Sequence, residues 1–123
     1  MATVVLNGEN FSTVVAGHDT VIVDFWAPWC GPCRSFAPIY DKVSEKYPNV
    51  VFGKVDTEEQ RELAGVFQIR SIPTLMIFRQ KIIIFSQAGM LPESSLVEVL
   101  EKALALDMEQ VKREIAEQQG KGK

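Results

Sequence analysis

The chain has 123 residues, 46% of them hydrophobic and 24% charged, which is the composition of one soluble globular domain with its own core. Its formal net charge of −3 excludes the basic surface by which proteins bind nucleic acids or anionic membranes. The N-terminus carries neither a basic start nor a long apolar run, and no later stretch is apolar enough to span a membrane. We therefore expect a cytoplasmic protein, unless a targeting segment has been removed.

The first half of the chain alternates between strand and helix patterns. The elements predicted there are, in chain order, a strand over residues 3–6, a weak helix that Asn7 caps and that reaches about Ala16, a strand over residues 21–26, a helix that begins at the two cysteines and that Pro38 kinks, and a strand over residues 50–55. The near-continuous apolar run over residues 21–26 is typical of a strand that is buried on both faces. Asp24 is the one residue that interrupts it.

The second half adds a hairpin and a final helix. The elements predicted there are a helix that opens with a capping box over residues 57–60 and that Gly65 closes, two strands over residues 73–78 and 82–85 joined by residues 79–81, and a long amphipathic helix from Pro92. No repeat or linker divides the chain. The order β-α-β-α-β-α-β-β-α predicts an α/β fold, in which helices flank both faces of a central mixed β-sheet.

The only two cysteines, Cys30 and Cys33, are separated by two residues at the start of a predicted helix. A static disulfide there closes a very small loop and stabilises the fold little. A zinc site needs at least three protein ligands, and His18 is the only histidine available. A redox pair explains more: the helix N-terminus favours the thiolate of Cys30, and Cys33 is placed to attack a mixed disulfide formed at Cys30.

Asp24 is the candidate general base for this pair. A carboxylate in a buried strand is costly, and burial raises its pKa toward neutrality, where it can accept the proton of Cys33. Alternatively, Asp24 ends its strand and caps a neighbouring loop. Lys54 occupies a similar place in the next strand and is the expected charge partner, the alternative being an ordinary solvated lysine.

The sequence WAPWCGPC over residues 26–33 resembles the active-site signature of the thioredoxin family. Asp24 matches the buried aspartate of that family, Lys54 its lysine partner and Pro38 its kinking proline. Residues 69–74 resemble the loop whose cis-proline faces the cysteines, and Gly89 matches the glycine of the opposite rim. The resemblance covers residues 2–106, and we take residues 1–106 as the domain.

The resemblance implies the thioredoxin fold and the activity of a general protein-disulfide reductase. It implies disulfide-containing protein substrates and recycling by a thioredoxin reductase, a flavoprotein that draws electrons from NADPH. No cofactor is expected on this chain, which lacks a glycine-rich phosphate loop, and no metal.

The family also assigns a surface around Cys30 that docks substrate. Its residues are expected to be Trp29, Gly31, Pro32, Ile72, Pro73 and Gly89, with a cis peptide bond before Pro73. The Gly31-Pro32 dipeptide resembles that of the reducing members, whereas oxidases and isomerases usually carry a histidine there.

This chain departs from the family at Arg34, at the hairpin over residues 79–81 and at Met90. The largest departure is the extension over residues 107–123. Its apolar residues continue the period of the preceding helix through Leu106, which predicts one uninterrupted C-terminal helix with a disordered tail from Gln118. Such a stripe is expected to be covered, either by bending back onto the domain or by self-association or contact with a partner, the alternative being a solvated or frayed end. The alternative function is accordingly an interaction or folding-helper protein that works through this extension.

Overall fold

The computed structural model describes residues 2–121, and these form a five-stranded mixed sheet with helices packed on both faces. The elements are, in chain order, β1 (Thr3–Val5), α1 (Phe11–Gly17), β2 (Thr20–Trp26), α2 (Gly31–Ser44), β3 (Val51–Asp56), α3 (Arg61–Val66), β4 (Thr74–Arg79), β5 (Ile82–Ala88), α4 (Glu93–Ala105) and α5 (Met108–Lys121). The predicted fold class and the predicted order of elements are confirmed, with α5 as an addition.

The strands lie in the order β1-β3-β2-β4-β5, so that β2 is the central strand. Strand β3 pairs in parallel with β1 and β2, whereas β4 runs antiparallel to both β2 and β5. This arrangement follows from the connections, since helices link the parallel strands and a tight turn links β4 to β5. The central position of β2 explains why its sequence is apolar on both faces.

Side chains of β2 alternate between two cores. Val21 and Val23 pack with residues of α1, whereas Ile22 packs with residues of α2 and α4 on the other face. Because alternate residues of a strand share a face, Asp24 lies on the same side of the sheet as Ile22. This is the side that α2 covers, and α2 begins at the cysteines.

The start of α3 differs from the predicted capping box. The helix begins at Arg61, and the hydroxyl of Thr57 donates to the carbonyl of Trp26 instead of capping it. The carboxylate of Asp56 accepts hydrogen bonds from the backbone N–H groups of Glu58 and Glu59. Asp56, one residue before Thr57, therefore makes the hydrogen bonds expected of the cap. Gly65 lies inside the helix, and the left-handed residue after its end is Gln68, at φ 54°.

The hairpin between β4 and β5 is a two-residue turn. Gln80 and Lys81 both have positive φ, 51° and 71°, the conformation that matches the twist of antiparallel strands. Arg79, which was predicted to lie in the turn, pairs with Ile82 as the last residue of β4.

The prediction of one uninterrupted C-terminal helix, made from the apolar period, is wrong. Helix α4 ends at Ala105, Leu106 is extended with ψ 136°, and α5 starts at Met108. The side chain of Asp107 explains the new start, because its Oδ1 accepts from the backbone N–H groups of Glu109 and Gln110 at 3.0 and 3.2 Å. The chain turns there, and Met108 is buried.

Arg79 stabilises the same junction. Its guanidinium donates to the carbonyls of Ala103 and Leu106 at 2.8 and 3.3 Å, and pairs with Asp19 at 2.9 Å. A buried cation thereby satisfies carbonyls that the end of α4 leaves without helical partners.

Residues 118–121, predicted to be disordered, continue α5, and residues 122–123 lie outside the described residues. The division into a domain over residues 1–106 and an extension over residues 107–123 stays a prediction.

Candidate active site

Cys30 and Cys33 are joined by a disulfide at the start of α2. Cys30 is the N-cap residue, and the backbone N–H of Cys33 donates to its Sγ at 3.2 Å. Gly31 and Pro32 form the first turn between them. Pro32 fits this position because the missing N–H of a proline is not needed in the first helical turn. The sulfur of Cys30 is therefore held where unpaired N–H groups and the helix dipole stabilise negative charge.

Both cysteines are largely covered in this oxidised form, with exposed fractions of 4% for Cys30 and 3% for Cys33. They form a small cluster with Ala27, and Trp26 and Ile72 pack against it. Solvent exposure thus does not distinguish the two. What distinguishes them is their place on the helix and the position of Cys30 Sγ, which lies 3.7 Å from the carbonyl oxygen of Ile72.

The predicted docking residues on the opposite rim come together around Pro73. The Ile72–Pro73 peptide bond is cis, as expected from the family. The backbone N–H of Gly89 donates to the carbonyl of Pro73 at 2.8 Å, and Gly89 has φ +98°, a conformation that side chains disfavour. Ile72, Pro73 and Gly89 therefore form one connected rim beside Cys30.

Trp29 lies directly before the disulfide and is 65% exposed. Its indole Nε1 donates to Glu58 Oε1 at 2.7 Å, and Glu58 in turn pairs with Arg61. A large aromatic side chain that is exposed but fixed in direction is suited to contact with a partner, since little conformational freedom is lost on binding.

Asp24 is buried, with 1% of its surface exposed, as predicted. Burial raises the pKa of Asp24 to about 7; the positive charge of Lys54 opposes this rise, and the negative charge of Asp41 adds to it. No described residue donates a hydrogen bond to either carboxylate oxygen of Asp24. A carboxyl group in this state exchanges a proton near neutral pH, which is the property that a general base requires.

Lys54 lies opposite Asp24 in the parallel register of β2 and β3. It is close enough to lower the pKa of the carboxyl, but its ammonium forms no ion pair with it. Lys54 Nζ lies instead over the ring of Trp26, 5.0 Å from the ring centroid. The predicted charge partner is therefore present, although the contact that holds its side chain is aromatic.

The sequence interpretation missed three residues that shape this site: Trp26, Tyr40 and Glu58. The period of two along β2 places Trp26 on the same face as Asp24, and this signal was available. Tyr40 is a buried residue of α2, and its hydroxyl shares its one proton between the carbonyls of Ile22 and Gly53, at 3.0 and 2.8 Å. No sequence pattern indicates the contact between Glu58 and Trp29, which are 29 residues apart.

Within residues 2–121, no group of three or more histidine, cysteine or acidic side chains is arranged to hold a metal ion. Over the same part of the chain, no helix combines the length and the apolar character needed to cross a bilayer.

A cysteine pair at a helix N-terminus, able to close a disulfide and flanked by a buried carboxyl group, is the apparatus of thiol–disulfide exchange. The fold and this site define a thiol–disulfide oxidoreductase. The family model for Thioredoxin matches residues 2–102, and the chain belongs to the thioredoxin family.

Curated relatives agree with this assignment. The chain is 52% identical over 118 residues to a Streptomyces coelicolor protein named "Putative thioredoxin 2", and the match covers 96% of this chain and 88% of the relative. It is 46% identical over 85 residues to thioredoxin 1 of Synechococcus elongatus, a match that covers 68% of this chain and 79% of that protein. The Streptomyces match leaves 4% of this chain outside, fewer residues than α5 contains, so it extends into α5.

Solved structures of similar proteins have the same fold. Plasmodium falciparum thioredoxin superposes with a TM-score of 0.75 at 33% identity, covering 80% of this chain and 96% of the other. A mutant thioredoxin from Halobacterium salinarum gives a TM-score of 0.79 at 27% identity, covering 85% and 93%.

Proposed function

We propose that this chain is a general protein-disulfide reductase that works through the Cys30/Cys33 dithiol. The observation that carries the proposal is the placement of Cys30 as the N-cap of α2, next to the rim formed by Ile72, Pro73 and Gly89. The Gly-Pro dipeptide between the cysteines supports the reducing direction, since no histidine is present there to stabilise the thiolate further.

The reaction proceeds in two exchanges. In the first, the Cys30 thiolate attacks one sulfur of a substrate disulfide, the substrate S–S bond breaks, and the leaving thiolate takes a proton. In the second, Cys33 gives its proton to the Asp24 carboxylate and attacks the sulfur of Cys30, which releases the second substrate thiolate. Two electrons pass to the substrate, and the chain is left with the Cys30–Cys33 disulfide.

Two groups support these exchanges. Asp24 is suited to accept the proton of Cys33 because its pKa, raised by burial to about 7, matches the working pH of a base. Lys54 limits that rise, so that the carboxylate form stays accessible near neutrality.

Substrate backbone docks on the surface around Cys30. Trp29, Gly31 and Pro32 form one side of this surface, and Ile72, Pro73 and Gly89 form the other. The exposed and oriented indole of Trp29 and the apolar rim give contacts that do not depend on one substrate sequence, which fits a reductase of broad range.

For repeated turnover, the disulfide must be reduced again. We assign this step to a thioredoxin reductase that takes electrons from NADPH, so the chain itself needs no bound cofactor. Such a cycle belongs in a reducing compartment such as the cytoplasm, where protein thiols are kept reduced.

The test is the reduction of insulin by dithiothreitol with and without the protein. We expect catalysis by the natural chain and none by Cys30→Ser, while Asp24→Asn retains catalysis but loses rate between pH 6 and pH 8. Turnover by Cys30→Ser equal to the natural chain contradicts the mechanism. An absence of turnover in the natural chain favours the alternative of an interaction or folding-helper protein.

The reducing direction has its own measurement. Equilibration against glutathione is expected to give a potential near the value typical of thioredoxins, about −270 mV, and far from the roughly −180 mV of a disulfide isomerase. A value at the isomerase end contradicts the assignment as a reductase.

A further inference from the structure

Four side chains at the end of β2 and β3 share one face of the sheet: Asp24, Trp26, Lys54 and Asp56. Lys54 is in register with Asp24 and diagonal to Trp26. Asp56 follows two residues later, and its Oδ1 accepts hydrogen bonds from backbone N–H groups beyond the strand. The ammonium of Lys54 lies over the Trp26 ring, 5.0 Å from the centroid, while both oxygens of Asp24 are without a hydrogen-bond donor. The ring thus holds a cation that a buried carboxylate also attracts.

We propose that Trp26 is a positioning residue, whose ring holds the Lys54 ammonium away from Asp24 and so preserves the ability of Asp24 to accept a proton. The proposal rests on the function proposed above for Asp24. It assigns to Trp26 a role other than its packing against the cysteines.

The physical reason is the balance between two attractions on one ammonium group. An aromatic face attracts a cation with a strength comparable to that of a partly exposed ion pair, and tryptophan does so best. A direct ion pair with Lys54 favours the charged form of Asp24 strongly, and the carboxylate then becomes a weak base. Held on the ring, Lys54 acts on Asp24 through its charge without donating a hydrogen bond.

The other groups around Asp24 do not supply the positive charge by which Lys54 lowers its pKa. Helix α2 contributes Cys33, Tyr40 and Asp41 as ionisable groups, and Asp41 acts in the opposite direction to Lys54. The hydroxyl proton of Tyr40 is directed at backbone carbonyls. The neighbour of Asp24 on β4 is Leu75, and α4 places Leu96 and Leu100 on this side of the sheet, none of which is ionisable.

The test measures the titration of the Asp24 carboxyl carbon by NMR in the oxidised protein, where the cysteines do not titrate. We expect Trp26→Leu to lower the apparent pKa of Asp24 by about half a unit to one unit, because the freed ammonium approaches the carboxylate. Trp26→Phe, which keeps a weaker aromatic face, is expected to give a smaller shift in the same direction and serves if the leucine variant does not fold.

The decisive comparison is a double-mutant cycle with Lys54→Met. In the Lys54→Met background, the same Trp26 substitution is expected to leave the Asp24 titration unchanged, because no ammonium remains to be released. An unchanged or raised pKa in the Trp26 variants, or an equal downward shift in the Lys54→Met background, overturns the proposal.

The rate of insulin reduction does not separate the two roles of Trp26, because the residue also packs against the cysteines and its loss is expected to slow the reaction for that reason alone. The two proposals therefore fail separately. An Asp24→Asn protein with an unchanged rate removes Asp24 as the base, whereas the NMR titration still reports whether Trp26 positions Lys54.

Discussion

The side chain of Leu6 fills the space beside Gly53 that the Cβ of any other residue at this position would occupy. Both residues are buried, and Leu6 belongs to the core on the α1 side of the sheet. We therefore expect Gly53→Ala to destabilise the protein by about 1–3 kcal/mol, because Leu6 or the strand must move. Urea unfolding measures this change.

Gly65→Ala is the matched control. Gly65 is exposed within α3, and an added Cβ meets no atom within 4 Å. Alanine is the better helix former, so this change is expected to be neutral or to stabilise by about 0.5–1 kcal/mol. Equal effects of the two substitutions are incompatible with the packing described for Leu6.

Asp24 is expected to make stability depend on pH. Its pKa rises from 3.8 to about 7 on folding, so the folded protein binds its proton more tightly than the unfolded chain does. Below pH 3.8, the buried carboxyl group does not lower the free energy of unfolding of the protein. The loss of stability grows as the pH rises from 3.8 to about 7, and it is complete above that pH. Asp24→Asn should therefore stabilise the protein most above pH 7, by up to about 4 kcal/mol.

Urea unfolding of the natural and Asp24→Asn proteins at pH 4.5 and pH 8 gives the comparison, with both proteins oxidised. The difference between them should be small at the lower pH and large at the higher pH. A difference that is the same at both values means that Asp24 has an ordinary pKa in the folded state.

Truncation after Leu106 is expected to reduce stability and to leave disulfide reduction intact. Arg79 contacts the end of α4 and is paired in the sheet with Thr20, at the start of β2. The cysteines follow the other end of β2, and the length of the strand separates the two places by roughly 20 Å. The loss of the buried Met108 side chain costs about 1.5–3 kcal/mol. Insulin reduction and urea unfolding of the same two chains measure both effects.

Met108→Leu in the full chain is the control for this truncation, since it conserves apolar volume and should retain stability. A truncated chain with normal stability and no activity reverses the expectation. Sedimentation of the full and truncated chains at matched concentration tests the predicted self-association through residues 107–123, and two identical monomers contradict it.

Patterns of local sequence predicted the strands well because β2 and β4 are buried on both faces and read as continuous apolar runs. The break between α4 and α5 was missed for a physical reason. The apolar period continues through Leu106, and period alone does not show that the Asp107 side chain caps a new helix. The same competition misplaced the start of α3, where Asp56 accepts the hydrogen bonds expected of Thr57.

The sequence named the residues of the candidate site but not the contacts between them. The sequence indicated that Asp24 is buried, and the structure agrees. It also indicated that Lys54 is the charge partner, yet whether a lysine pairs with a carboxylate or with an aromatic ring depends on distances that sequence spacing does not contain. Contacts between distant segments, such as Trp29 with Glu58, are set by the tertiary fold.

The central claim is that Cys30 attacks the substrate and Cys33 completes the exchange, and trapping with single-cysteine variants tests it most directly. The Cys33→Ser and Cys30→Ser proteins are each reduced, repurified and incubated with insulin. The adducts are measured by intact mass. We predict a persistent mixed disulfide at Cys30 in the Cys33→Ser protein, because no thiol remains to release it, and little adduct in Cys30→Ser. Persistent adducts in Cys30→Ser but not in Cys33→Ser contradict the account and reverse the two roles.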